Sequence, residues 1–247
     1  FQGERFSDFS PVTEDEVLKI IRSSASKSSC VDPIPTSLVK ECLDILVPII
    51  TRIINQSFEQ AYVPKSFKLA AVISLIKKAN LIPDILKNFR PISTLPFLSK
   101  VLEKVGTKQL LHHKNLNNVR EIMQSAYREG HSTETALIRL THDLLLSFDE
   151  RKCVLMCLLD LSAAFDTVHH GILLDRLHNR YGIRDQAHKW VQSYLTDRKQ
   201  FVMINGHRST PRDKHCDVPQ GSVLGPNLYE DYAAAPLGDI FRKYNIP

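Results

Sequence analysis

Two hydrophobic rhythms alternate along the chain, one with helical spacing and one continuous. Val17, Ile20 and Ile21 follow Thr13-Glu14-Asp15-Glu16 at helical spacing, and Thr13 with Glu16 fits a capping box, which predicts a first helix. After the loop "SSCVDPIPTS", a long helical region is predicted from about Ser37 to Gln60, bent or split at Pro48. "LAAVISLIKK" is rich in β-branched residues and reads as a strand. "NLIPDILKNFRPISTLPF" contains Pro83, Pro91 and Pro96 and cannot be one regular element. Helices are predicted over 98–113 and 132–149, and in the second Leu137, Leu140, Leu144, Leu145 and Phe148 make one apolar stripe.

The rhythm then changes. In "CVLMCLLD", Val154, Leu155, Met156, Leu158 and Leu159 read as a strand over 153–160, buried on both faces and closed by Asp160. Two amphipathic helices follow, one through Ile172, Leu173 and Leu177, the other through Ala187, Trp190, Val191, Tyr194 and Leu195, with Trp190 in the core. "KQFVMINGHRST" is a hairpin signal around Asn205-Gly206, and "DVPQGSVLGPNLYEDYAAA" is a tight turn leading into a helix. Few strands, many long helices and no repeating βα unit predict an α+β fold.

The 247 residues suit one large domain or two smaller ones, and no run of eighteen apolar residues offers a membrane span. The chain begins with Phe1 and not Met, so it reads as a segment of something longer, and the lack of a charged leader with an apolar core gives secretion no support. Five scattered cysteines (30, 42, 153, 157, 216) do not resemble a disulfide framework and point to a reducing, intracellular setting. Net charge is +5, but its distribution is uneven. Nine basic residues between Lys65 and Lys108 are opposed only by Asp84 and Glu103, which makes that stretch a candidate polyanion-binding surface.

A carboxylate closing an apolar strand costs several kcal/mol unless it is paired. Asp160 therefore either caps the next helix or holds a cation, and a strand-end aspartate suits Mg²⁺, which takes one or two carboxylates and leaves its other positions to water and phosphate. Asp166 reads as a helix-dipole or salt-bridge carboxylate, and Phe165 as either a ring over the metal site or a core phenylalanine. In "PQGSVLGP" the glycines allow close backbone approach to a ligand, and Gln220 offers both donor and acceptor. No GxxxxGK[ST] loop, HExxH helix or GxSxG elbow is present. The adjacent pairs His112-His113 and His169-His170 read as surface residues.

Taken in order, the segments resemble the reverse transcriptase of a non-LTR (LINE-type) retrotransposon. "NFRPISTLPFLSKVLEKV" resembles a fingers motif, "QSAYREGHSTETAL" the block that follows it, "LLDLSAAFDTVHHGILLDRL" the first palm motif and "VPQGSVLGPNLY" the second. "SSCVDPIPTSLVKECL" resembles the N-terminal motif particular to these elements. The resemblance implies a right-hand polymerase fold: a helical N-terminal extension over 1–60, fingers over 61–150, and a partial palm over 151–247 whose antiparallel sheet packs on helices, with the thumb absent. Asp160 would then be the first catalytic carboxylate, binding two Mg²⁺ ions (or Mn²⁺) with the Leu161 carbonyl. Lys77, Arg90, Phe165, Gln220 and Gly221 would surround the incoming dNTP, with Phe165 as the steric gate against a ribose 2′-hydroxyl. Lys78, Lys87 and Arg128 would follow the nucleic acid. Implied partners are an RNA template, a DNA primer and the element's own RNA-binding protein, in a ribonucleoprotein of nucleus and cytoplasm, with no membrane.

Departures from the pattern bear on activity. The family's other two metal carboxylates lie in a "YADD" motif, and no "ADD" occurs here, so the segment alone is expected not to polymerise DNA and to expose an unpaired strand edge. His169 stands where an aspartate is usual, Asp217 where a glycine is usual, and Glu230-Asp231 where the pattern is mostly apolar. Two other readings compete: a decayed remnant that only binds nucleic acid, and an unrelated Mg²⁺ phosphotransferase using Asp160 and Asp166.

Overall fold

Thr13 caps the first helix as its sequence predicts. In the computed structural model, which describes residues 1–161 and 164–245, α1 (Glu14–Ser23) begins with the Thr13 side chain accepting from the Glu16 amide while Glu16 accepts from the Thr13 amide. α2 (Thr36–Glu41) and α3 (Leu43–Glu59) follow, and the break between them falls at Cys42. Pro48 lies inside α3, so of the two expectations the helix is not split there. Losing one N–H is outweighed there by a face of Leu43, Val47, Ile50, Ile54 and Phe58 that runs unbroken through the proline and is buried along its length.

α4 (Phe97–Leu116) is buried on more than one side, whereas α5 (Thr133–Asp149) has no fully buried residue. α6 (His170–Asn179) and α7 (Asp185–Leu195) complete the helical layer. Trp190 of α7 is fully buried against Phe9 and Phe58, and its indole N–H donates to the Ser57 hydroxyl at 3.0 Å. That bond satisfies the one polar atom the core tryptophan carries.

Among the described residues the sheet has five strands: β1 (Leu69–Ile76), β2 (Phe89–Thr94), β3 (Arg198–Ile204), β4 (His207–Arg208) and β5 (Arg212–Lys214). Its order is β2-β1-β3-β4, with β5 also on β3. β1 runs antiparallel to β2, with Leu75 opposite Arg90, and parallel to β3, with Ala71 opposite Phe201. Pro91 fits because β2 is an edge strand. Asn205 and Gly206 both have positive φ, 49° and 79°, as the predicted hairpin turn requires. The mixed helices and sheet agree with the α+β expectation.

The strand predicted over 153–160 does not form. A strand needs a ladder partner for its backbone groups, and among the described residues β1–β5 pair only with one another. Leu155 and Leu158 consequently stand 96% and 81% exposed, and Leu137, Leu140, Leu145 and Phe148 of the predicted α5 stripe are exposed as well. The chain ends through α8 (Gly225–Tyr229), a π-helical turn over Glu230–Ala234, and α9 (Ala235–Lys243). Among the described residues no helix is long and apolar enough to cross a membrane.

Candidate functional site

The turn over Pro219–Gly225 is where separate parts of the chain converge. The Ser93 amide of β2 donates to the Gln220 carbonyl at 2.8 Å, which joins the turn to the edge strand. Gly221 has φ +117°, and a Cβ there would overlap the Ser93 carbonyl oxygen, so this position needs glycine on two counts. Within the turn, the Ser222 hydroxyl donates to the Pro219 carbonyl at 2.8 Å and accepts from the Gly225 amide at 3.0 Å.

Phe165 is brought to the same place. Its carbonyl accepts from the Val218 amide at 3.1 Å, and its ring stacks on Tyr229 with centroids 5.0 Å apart. Tyr229 in turn lies near Tyr127, and burial followed by that neighbour raises its pKa. Arg128, beside Tyr127 in sequence, is half-buried and donates to the Ile122 carbonyl at 3.4 Å.

The basic side chains gather on the β1–β2 hairpin. The Lys77 amide donates to the Asn88 carbonyl at 2.8 Å, and its ammonium donates to the Lys87 carbonyl at 2.8 Å. Lys78, Lys87 and Arg90 are exposed around it. β2 thus carries Arg90 three residues from Ser93, the residue that holds the turn.

Asp160 and Leu161 are not drawn into this convergence. Both are exposed on the unpaired segment, and the first palm-like motif also includes Ser162 and Ala163, which lie outside the described residues. Among the described residues no three His, Cys, Asp or Glu side chains are grouped to hold a metal ion. Asp166 lies 3.8 Å from the Lys214 ammonium, which is the salt-bridge reading of that carboxylate. The residues present therefore do not by themselves fit a magnesium site.

The histidine reading needs correction. His113 is buried, with Nε2 2.7 Å from the Tyr181 carbonyl and Nδ1 3.2 Å from the Asn117 side-chain Nδ2, so its ring is satisfied as a core residue. His170 is half-buried with Nε2 2.7 Å from the Asp217 carbonyl. His169, exposed, accepts from the Ile172 amide at 3.4 Å and so takes over the capping role at the start of α6.

Two residues outside the quoted site motifs' assigned roles also shape the site. Asp32 accepts from the Phe97 amide and the Ser29 amide, each at 2.6 Å, which ties the "CVDPIP" loop to the start of α4. Glu103 of α4 is buried and accepts from the Val223 and Leu224 amides at 2.7 and 3.0 Å. Burial raises its pKa, and those amides, Arg198 and Ser99 oppose the rise. A signal existed for Glu103: Ser99, Glu103, Gly106, Thr107 and Leu110 share one helical face, and all but Leu110 are small or polar. A separate cavity of about 870 Å³ lies between Ile34, Phe67, Phe97 and Leu98, and none of the predicted site residues lines it.

Comparison with known proteins gives the relationship. The profile described as reverse transcriptase (RNA-dependent DNA polymerase) matches residues 76–245. The probable RNA-directed DNA polymerase from transposon BS of Drosophila melanogaster is 30% identical over 91% of this chain and 24% of its own length. The RNA-directed DNA polymerase from mobile element jockey of the same fly is also 30% identical over 91% of this chain and 24% of its own. The probable RNA-directed DNA polymerase from transposon X-element, again of that species, is 31% identical over 90% and 24%. The chain thus spans about a quarter of the length of these relatives.

Proposed function

Because the chain belongs to the reverse transcriptase (RNA-dependent DNA polymerase) family, of the kind carried by non-LTR transposons, we propose that it is part of an enzyme that copies element RNA into cDNA. The observation that supports this reading is the joint between β2 and the Pro219–Gly225 turn, which holds Gln220 and Gly221 against the strand that carries Arg90, while the Phe165 carbonyl accepts from the Val218 amide just before the turn. In this reading Arg90 and Lys77 grip the triphosphate of the incoming dNTP, with charge-assisted bonds to its oxygens. Gln220 and Gly221 line the nascent base pair, and Phe165 occupies the space a ribose 2′-hydroxyl would need. Lys78, Lys87 and Arg128 follow the RNA template and DNA primer, an interaction set by phosphate charge and not by sequence.

Residues 1–60 are assigned to an N-terminal extension, 61–150 to fingers and 151–247 to part of a palm. Asp160 with the Leu161 carbonyl would contribute to binding two magnesium ions, for which manganese can substitute, and the remaining ligands are not among the described residues. By this account the 247 residues alone do not polymerise. The element's own RNA-binding protein, and a ribonucleoprotein of nucleus and cytoplasm, are the partner and setting that go with this reading.

The test is primer extension on an RNA template with Mg²⁺, using the full-length protein and its Asp160→Ala variant. Template-dependent cDNA that the substitution abolishes is the expected result. The exposed, isolated position of Asp160 favours a second reading, a remnant that only binds nucleic acid. Salt-sensitive RNA binding with no cDNA, indifferent to Asp160→Ala, would establish that one instead.

A further inference from the structure

We propose that Glu103 is a positioning residue: its buried carboxylate holds the Pro219–Gly225 turn in place, and with it Gln220 and Gly221 against the strand that carries Arg90. The inference rests on the polymerase reading for its consequence, but its geometry stands independently. Glu103 is 1% exposed, and four donors surround its two oxygens. Oε2 accepts from the Val223 amide at 2.7 Å, the Leu224 amide at 3.0 Å and the Tyr194 hydroxyl at 3.2 Å, while Oε1 accepts from the Ser99 hydroxyl at 3.2 Å.

The arrangement is directional. Tyr194 belongs to α7 and Ser99 to α4, so the carboxylate is fixed from the helical layer, and its two shortest bonds reach out to consecutive amides of the turn. Arg198, itself buried, stacks on Tyr194 with its guanidinium 4.7 Å from the ring and donates to the Tyr194 carbonyl at 2.8 Å. That supplies a positive charge beside a buried negative one. The turn is then anchored at both ends: the Gln220 carbonyl to Ser93 of β2, and the Val223 and Leu224 amides to Glu103. Between the anchors, Ser222 locks the turn internally through Pro219 and Gly225.

A bond between an ionised group and an amide is about twice as strong as a neutral one, which suits a carboxylate to this place better than an apolar side chain. With Glu103→Ala, the two amides lose their acceptor and the turn can shift relative to Arg90. With Glu103→Gln, the side-chain carbonyl still accepts from the amides, and its NH2 group can donate to Ser99.

The experiment uses the full-length protein with two readouts. The first is hydrogen exchange at the Val223 and Leu224 amides, which Glu103→Ala should accelerate while the amide of Val191 in α7 stays protected. The second is single-nucleotide incorporation. Glu103→Ala should raise KM for the dNTP about tenfold with kcat and RNA affinity nearly unchanged, and Glu103→Gln should recover most of that loss. Should Glu103→Ala fail to fold, Glu103→Gln is read alone and must show a smaller shift of the same kind. Unchanged exchange at the two amides overturns the clamp. Parallel losses in kcat, KM, RNA affinity and melting temperature overturn the positioning role and leave a core carboxylate. If the parent protein incorporates nothing, the polymerase reading falls and takes the positioning role with it, whereas an active parent with unmoved KM defeats the role alone.

Discussion

Asp217 sits where the resemblance expects glycine, and its backbone has φ +109°, a conformation that L side chains rarely adopt. The backbone is held there from several sides: the Asp217 amide donates to the Val168 carbonyl at 3.1 Å, its own carbonyl lies 2.7 Å from His170 Nε2, and the next amide donates to the Phe165 carbonyl. Strain of this kind costs about 1–3 kcal/mol and persists only when the surroundings over-determine the backbone. The side chain is buried as well, and among the described residues its Oδ1 finds no hydrogen-bond partner, worth a further loss of about 1–3 kcal/mol. Against this, Oδ2 gains a 2.9 Å bond to the Lys214 ammonium, and a charged hydrogen bond contributes about 1.5–3 kcal/mol. Replacement by glycine also adds about 0.5–1 kcal/mol of backbone entropy to the cost of folding. The balance favours Asp217→Gly by about 1 kcal/mol, a rise in melting temperature of about 2–4 °C for a domain of this size. Asp217→Ala is the sharper comparison, since both variants lose the carboxylate and only alanine keeps the strain. Glycine should exceed alanine by about 1–2 kcal/mol in paired thermal or denaturant melts. Equal stability of the two variants would refute the strain argument outright. The pH dependence follows from burial, which raises the Asp217 pKa above 3.8 despite the Lys214 bond. A raised carboxyl favours folding below the unfolded value and loses that contribution as pH rises through the folded one. The advantage of Asp217→Gly should therefore be larger at neutral pH than below about pH 3.8.

Lys114→Met should destabilise the chain by about 3–5 kcal/mol, because it leaves the Asp231 carboxylate buried without its partner. That deficit should shrink in acid, where Asp231, whose pKa burial already raises, becomes neutral; a pH-independent deficit in the melting curve would count against it. Replacing Lys77, Lys78 and Lys87 by alanine should weaken binding to single-stranded RNA similarly for unrelated sequences and reduce the slope of log K against log salt by about 0.7 for each phosphate no longer neutralised. A sequence-dependent loss with an unchanged slope would refute that surface. Leu155→Lys with Leu158→Lys should reduce concentration-dependent light scattering of the isolated chain, since both side chains stand exposed on an unpaired segment. A monomer that melts sharply and reversibly without them would show that the segment is no liability.

The legible parts of the sequence were those in which local chemistry decides. The capping box at Thr13, the Asn205-Gly206 turn, the strand in "LAAVISLIKK" and the core position of Trp190 depend on neighbours in sequence or on a clear periodicity, and each stands as predicted. Cys153–Asp160 shows the limit. Its composition is that of a buried strand, but a strand exists only where another supplies its hydrogen bonds, and composition does not identify that partner. At Pro48 the helix is not split for the opposite reason, because a local penalty lost to burial on both sides of it. In the candidate site, the fingers-like strand, Phe165 and the glycine turn could be named from motifs. For Glu103 the sequence carried only a small and polar helical face, which does not name its partners, since its role comes from amides 120 and 121 positions away in sequence.

Glu230 and Asp231 test how far a departure from pattern signals decay. An acidic residue introduced by drift into a buried helix would leave a charge without a counter-ion, at a cost of several kcal/mol. Here both acids have one. Asp231 accepts from the Lys114 ammonium at 2.7 Å, and Glu230 from the Arg120 guanidinium at 3.0 Å, with every one of the four side chains at most 10% exposed. The partners come from the end of α4 and the residues just after it, more than a hundred positions earlier, so no single local change could have produced both pairs. Removing one partner of such a pair is costly, while exchanging both for well-packed apolar residues is often neutral. A chain under no constraint on folding would lose these pairs one residue at a time, through an unpaired intermediate. Their presence together places Glu230 and Asp231 with the elements that hold the fold, and argues against treating them as marks of decay.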